Sequence, residues 1–235
     1  MMQVARMINV TESLMRVEAF RQASPHSIAA LAACCKVRHL AKWEHLFFDK
    51  DHVEKIYVVA SGLVSLYKMN FQGEKKVIFI LDQGKMINEV ILQGMSASVN
   101  CEAFEEAEVL CFDRAELLAI MERDFGLTKG ILDSLGLKVR RLYRQLKNTA
   151  NSVRGEKRVA AKLWKLSQDY GEVGQEGKTI TLHLSITYLA DMLGSKRETV
   201  SRQLKVLTEQ GLVRIYDGHI IIPDSKKLSA YVKLP

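Results

Sequence analysis

Residues 197–202, RETVSR, concentrate groups that can read nucleic acid. Arg197 and Arg202 each carry a planar guanidinium able to grip guanine O6 and N7 with two hydrogen bonds, and Glu198 can accept from cytosine N4. Lys196 and Ser201 extend the same polar face. Glu198 and Arg202 stand four apart, so on a helix both project toward the same base pairs. The same spacing also suits a surface ion pair, with Glu198 as a capping residue.

The surrounding residues supply a frame for that face. Leu189, Ala190 and Leu193 share one side of a helix, and Gly194 suits a left-handed residue that ends it. Ser195 stands three residues before Glu198, an S-x-x-E capping box opening a second helix. Val200, Leu204 and Leu207 give that helix its apolar stripe. Ala190, Gly194 and Val200 together form the packing skeleton of a helix-turn-helix: Ala permits close approach, Gly permits the turn and Val fills the crossing. After Gly211, two short strands flank Asp217-Gly218, a type I′ hairpin signal, which reads as the wing of a winged helix. Arg214 and His219 stand where phosphate contacts are plausible, and equally suit an ordinary strand surface.

The first half follows a different period. Residues 25–35 read as a short helix with Pro25 in its first turn and Ser24 as N-cap. From 37 to 112, short runs at 55–60, 63–67, 76–81 and 109–112 are separated by Gly62, Gly73, Gly84 and Gly94, the pattern of an antiparallel sandwich or barrel. Asp113 caps a short helix. A longer helix, 125–149, carries a seam of Thr128, Leu132, Leu135, Val139, Leu142, Leu146 and Thr149, continuing to Val153 in alternating steps of four and three. A parallel dimer seam is the favoured reading, beside that of an amphipathic helix packed on its own domain; Gly136 suits close helix–helix approach. Lys138, Arg140, Arg141, Arg144 and Lys147 lie off the seam. Residues 148–155 read as a hinge, 156–169 as a helix, and the glycines at 171, 174 and 177 as a loop.

Composition narrows the class. The 235 residues are 48% hydrophobic and 26% charged, which supports a globular core and argues against disorder. No run is apolar enough to span a bilayer, and the N-terminus lacks an apolar core and a cleavage site, so no signal peptide and no membrane partner are expected and a cytoplasmic location is. Residues 134–235 hold 19 Lys+Arg against 9 Asp+Glu, whereas 1–133 hold 15 against 18. A basic second half suggests a polyanionic partner, or a solvated basic surface. Cys34, Cys35, Cys101 and Cys111 are too few for a disulfide framework, and without a C-x-x-C no metal site is expected. Adjacent Cys34 and Cys35 are redox-active or, as more often, buried free thiols. There is no Walker loop, G-x-S-x-G or H-E-x-x-H, and Glu105, Glu106 and Glu108 read as a solvated turn, so an enzyme is not expected.

These motifs, from Pro25 to Lys226, resemble the CRP/FNR family of bacterial transcription regulators. RETVSR is similar to the family's recognition helix, IYVVASGLVSLYK at 56–68 with Gly73 and Gly84 to its β-roll, and the seam helix to its dimerisation helix. The resemblance implies an α+β chain: an effector-sensing β-roll (a cyclic-nucleotide-binding-like jelly roll) with N-terminal helices over 1–124, a long dimerisation helix over 125–150 and a winged helix-turn-helix over 151–235. It further implies a homodimer on a palindromic double-stranded DNA site with a TGA core, base contacts from Arg197, Glu198, Ser201 and Arg202 with Lys196 beside them on the DNA-binding face, effector-driven reorientation of the DNA-binding domains, and contact with RNA polymerase. The family's cyclic-nucleotide binders carry a Gly-Glu cassette and a downstream Arg for the phosphate. Here the cassette reads Met86-Ile87-Asn88-Glu89, with Asn88 in place of glycine, and 90–103 hold no Arg or Lys. A buried phosphate without a cation is costly, so cyclic AMP is not the expected effector. Cys34 and Cys35 lack the spacing of an iron–sulfur cluster. Haem is not expected either, because lone histidines such as His26, His39, His45 and His52 are more often surface residues. An unknown small molecule between β-roll and helix remains, in a largely apolar pocket including Ile87, Asn88, Glu89, Leu135 and Val139, or else a thiol switch. The alternative is a degenerate member acting as a protein-interaction module without DNA binding.

Overall fold

Side chains with short polar groups start the first helices. In α1 (Val10–Arg16), Asn9 accepts from the Glu12 amide at 3.2 Å, and in α2 (Pro25–Cys34), Ser24 Oγ accepts from the Ser27 amide at 3.2 Å; oxygens so placed satisfy amides that have no partner within the helix. Seven strands follow: β1 (Lys36–Leu40), β2 (His45–Phe47), β3 (Lys55–Ser61), β4 (Val64–Met69), β5 (Lys75–Leu81), β6 (Asn100–Ala103) and β7 (Ala107–Asp113). Then come α3 (Arg114–Arg123), which Asp113 caps through the Ala115 amide at 2.9 Å, and α4 (Phe125–Lys147). The chain continues as α5 (Gly155–Tyr170), β8 (Gly171–Gly174), β9 (Gly177–Ile180), α6 (Ile186–Leu193), α7 (Arg197–Glu209), β10 (Arg214–Tyr216), β11 (His219–Ile222) and α8 (Ser225–Lys233). This computed structural model describes residues 9–147 and 155–233. Its contacts define two units, the described residues of Met1–Lys68 with Ile78–Tyr143, and those of Met69–Val77 with Arg144–Pro235.

The first unit is a two-sheet sandwich with helices on one outer face. The sheets run β1-β7-β3 and β2-β6-β4-β5, with every pairing whose register is given antiparallel. Alternate residues of a strand point to opposite faces, and β3 is buried on both. Tyr57 and Val59 pack with Val64, Leu66, Cys101 and Ala103 between the sheets. Ile56, Val58 and Ala60 pack with Leu14, Leu31, Leu117, Leu127 and Ile131 of the helices. The α+β architecture expected from the sequence is therefore present, and the four turn glycines all take positive φ. Sequence patterning missed β1, β2 and β6. Residues 171–177, read as a loop, form the β8–β9 hairpin, held as half of a sheet ordered β10-β11-β9-β8. Thr149, Val153 and most of the hinge expectation lie outside the described residues; Gly155 begins α5.

The start of α4 lies directly against the N-terminal segment. A Cβ at Gly130 would sit 1.9 Å from the Ala19 carbonyl oxygen, and one at Gly126 would sit 2.0 Å from that of Gln22. Gly136, further along, has open space around it. Gly130→Ala is thus expected to cost about 1–3 kcal/mol by overpacking, whereas Gly136→Ala gains roughly 0.5–1 kcal/mol of helix propensity. Thermal unfolding of the two variants, read side by side, checks the contrast.

Candidate nucleic-acid interface and sensor cassette

The helix-turn-helix is set by one glycine and its hydrogen bonds. Ser185 Oγ caps α6 by accepting from the Tyr188 amide at 3.0 Å. Gly194 ends that helix at φ 58°, ψ 50°, a left-handed conformation costly for residues with a Cβ. The Ser195 amide then donates to the Ala190 carbonyl at 3.1 Å. Arg158 of α5 donates to the Leu193 carbonyl at 2.8 Å, satisfying another orphan acceptor at the helix end. Ala190, Val200, Leu204 and Leu207 are buried. The opposite face of α7 presents Lys196, Arg197, Glu198, Ser201 and Arg202, all exposed. The expected capping box does not form: α7 begins one residue later, with Lys196 at the N-cap and no side-chain hydrogen bond there. Ser195, with its amide drawn into the turn, stands before that position.

The wing follows as expected. Asp217 and Gly218 both have positive φ, 47° and 73°, as a type I′ turn requires, and β10 pairs with β11 from Arg214↔Ile221 to Tyr216↔His219. Tyr216 is exposed near the tip. Arg214 reaches Glu176 on the neighbouring hairpin at 2.6 Å; both are exposed, so the pair contributes little.

In the first unit the five cassette and helix residues separate. Ile87 is buried in the sandwich core. Asn88 is buried as well, and its side chain accepts from the Tyr57 amide at 2.8 Å and donates to the Lys55 carbonyl at 2.9 Å. It thereby continues the pairing with β3 begun by the Ile87 amide and Tyr57 carbonyl at 2.8 Å. Its φ of −133° makes no demand for glycine. Glu89 is met from α4: Ser134 Oγ donates to Oε1 at 2.8 Å and Lys138 Nζ to Oε2 at 2.5 Å. Lys138 Nζ also donates to the Met86 and Ile87 carbonyls at 2.8 and 3.0 Å. Burial pushes its ammonium below the ordinary lysine range, against the pull of Glu89. Leu135 is half-buried and Val139 exposed. Ser134 and Lys138 were missed; their signal was the i, i+4 spacing off the seam, opposite a buried acid.

The adjoining cleft, about 80 Å³, is flanked by Glu18, Lys85, Asp133, Lys138 and Arg141. Ala19, Leu81, Met86 and Leu137 line it as well, so its surface is largely apolar with charged groups beside it, while Ile87, Asn88, Glu89, Leu135 and Val139 are not among its lining residues. Its volume is well below the roughly 300–1,000 Å³ of a small-molecule pocket. Of the seam, Leu132, Val139, Leu142 and Leu146 stand exposed, joined by Tyr143. Cys34, Cys35 and Cys111 line a second cleft of about 430 Å³ with Lys55, Asp113 and Glu116. Among the described residues no group of three or more His, Cys, Asp or Glu is arranged to hold a metal, and no helix is long and apolar enough to cross a membrane. His39 meets Glu106 at 2.9 Å and His45 meets Tyr67 Oη at 2.8 Å.

Comparison with known proteins follows the same two-part division. The family model described as a cyclic nucleotide-binding domain matches residues 37–124, and that of a Crp-like helix-turn-helix domain matches 157–231. The chain is 25% identical to the cyclic AMP receptor protein of Thermus thermophilus, over 89% of this chain and 94% of that one. It is 24% identical to a CRP-like cAMP-activated global transcriptional regulator of Mycobacterium tuberculosis, over 93% and 97%. The solved structure of FixK2 from Bradyrhizobium japonicum superposes with a TM-score of 0.74 at 21% identity, covering 83% of this chain and 96% of that one, a likeness of fold.

Burial pushes all four thiols up, Cys35 from 9.0 to about 11. A group whose folded pKa is raised stabilises the fold fully below its unfolded pKa, and that stabilisation is lost as pH climbs through the folded value. The part of the denaturant midpoint that depends on Cys35, read as the difference between the unmodified protein and Cys35→Ser, is therefore expected to hold up to pH 9 and to be lost between 9 and 11. Alkylation by iodoacetamide at neutral pH should be slow until the protein unfolds.

Proposed function

The chain belongs to the CRP/FNR family of transcription regulators, and we propose that it binds a palindromic double-stranded DNA site, as a homodimer, in a sequence-specific manner. One observation carries the reading: Lys196, Arg197, Glu198, Ser201 and Arg202 stand exposed on the face of α7 opposite its buried stripe. In this role α7 enters the major groove, Arg197 and Arg202 take guanines, and Glu198 takes a cytosine. The α7 amides that no side chain caps suit a DNA phosphate. The net positive second half supplies phosphate contacts, so affinity falls with salt.

The working division is a sensing domain over 1–124, a dimerisation helix over 125–150 and a DNA-binding domain over 151–235. Leu132, Leu135, Val139, Leu142 and Leu146 form the dimer seam; an exposed apolar stripe of this kind is what a second copy covers. The relatives are transcription regulators, and this chain takes the same role in the cytoplasm, recruiting or blocking RNA polymerase. Two relatives are named for cyclic AMP. Here Asn88 is spent on β3, Glu89 on α4, and 90–103 bring no cation, so the effector is a small molecule other than cyclic AMP.

Selection from a random DNA pool with the purified protein is expected to enrich a palindrome with TGA-type half-sites. Arg202→Ala should abolish the preference, at about 1–3 kcal/mol per lost base contact. An unenriched pool would instead favour a protein-interaction module that has lost DNA binding.

A further inference from the structure

We propose that the cassette of this chain is a binding site for a primary ammonium group, filled in cis by Lys138 and holding α4 against the β-roll. The inference takes the sensing role of this unit from the proposed function and names the ligand chemistry of its site. Every group facing Lys138 Nζ at hydrogen-bond distance is an acceptor: the Met86 carbonyl at 2.8 Å, the Ile87 carbonyl at 3.0 Å and Glu89 Oε2 at 2.5 Å. An ammonium has three N–H donors and no acceptor, so the three contacts use it completely. Glu89 itself has no exposed side-chain surface, and its second oxygen is taken by Ser134 at 2.8 Å. The side chain of Lys138 is mostly buried too. The cage is thus matched in number, charge and burial to R–NH₃⁺.

The same chemistry excludes an anion. A phosphate or carboxylate entering here would face a buried carboxyl group and two carbonyl oxygens with no donor to spare. Taking Lys138 away without a replacement leaves a buried acid short of donors, which is strongly destabilising. A molecule that displaces Lys138 must therefore bring N–H donors and positive charge of its own. The ligand class is a small organic amine. The neighbouring cleft carries both signs, with Glu18 and Asp133 beside Lys85 and Arg141, so the cage rather than the cleft sets the selectivity.

Chemical rescue tests this on the full chain. In Lys138→Ala, amide hydrogen exchange across residues 130–146 is expected to accelerate on the order of 100-fold, the scale of a broken buried pair. Methylammonium through n-butylammonium should restore protection, increasingly with chain length. Tetramethylammonium, equal in charge but without N–H donors, should not. Glu89→Gln in the same background should remove the rescue. Lys138→Met keeps the apolar stem and should show the same loss. Unchanged exchange in both position-138 variants, or equal restoration by tetramethylammonium, overturns the site. If neither variant folds, recovery of the far-ultraviolet signal with n-butylammonium alone supports it, and recovery with neither ion overturns it. Gel shifts on the same samples separate the two readings. Absence of DNA binding by the unmodified protein, with the exchange results as expected, removes the DNA reading and leaves the ammonium site; DNA binding with unchanged exchange does the reverse.

Discussion

The carboxyl group of Glu89 has no exposed side-chain surface, and such a group is costly to bury unless donors meet both its oxygens. The donors come from α4, one turn apart, as Ser134 and Lys138. That requirement fixes which side of α4 faces the cassette. Once Ser134 and Lys138 point inward, Leu132, Val139, Leu142 and Leu146 are left exposed as a stripe. The close approach at Gly126 and Gly130 sets the other end of the same helix. Asp124 completes the arrangement, accepting from the Ser24 amide at 2.7 Å and the Leu127 amide at 2.9 Å, so one carboxylate joins the start of α2 to the start of α4. Hydrogen bonds from Ser27, Leu127 and Ser24 hold its carboxyl group below the usual range.

The second unit uses a comparable division of faces. Val200, Leu204 and Leu207 spend one side of α7 on the interior, and the left-handed turn at Gly194 sets how α6 delivers the chain to it. Arg158 ties the end of α6 to α5. The polar side of α7, from Lys196 to Arg202, is left facing outward at Lys196, Arg197, Glu198, Ser201 and Arg202. The helix-turn-helix was legible because its frame is local: Ala190, Gly194 and Val200 act within a dozen residues. The Asp217-Gly218 hairpin was legible for the same reason, since its turn type follows from two adjacent residues.

The elements that escaped the sequence owe their form to distant partners. β1 exposes four of its five residues and carries no clean alternation; it is a strand because β7 pairs with it along its whole length. β6 buries Asn100 and Glu102, and polar residues hide a strand from any apolar count. They are tolerated because Ser65 donates to Glu102 at 3.1 Å and Asn100 accepts from the Asp49 amide at 3.1 Å. The β8–β9 glycines read as a loop until β11 supplies the third strand. The capping box failed by one residue, because the Ser195 amide was already committed to Ala190.

By itself the sequence determined the two-part order of the chain, the helix-turn-helix frame, the exposed basic face and the apolar seam, since each depends on spacing within one element. Only the tertiary structure decided what the cassette does. Asn88 reads as a damaged glycine position until Lys55 and Tyr57 of β3 lie beside it. Lys138 reads as one more surface cation until Glu89, Met86 and Ile87 close around it. Both roles arise from groups about thirty to fifty residues apart along the chain, and the energy of a buried polar contact is set by what surrounds it in space, which no local spacing records.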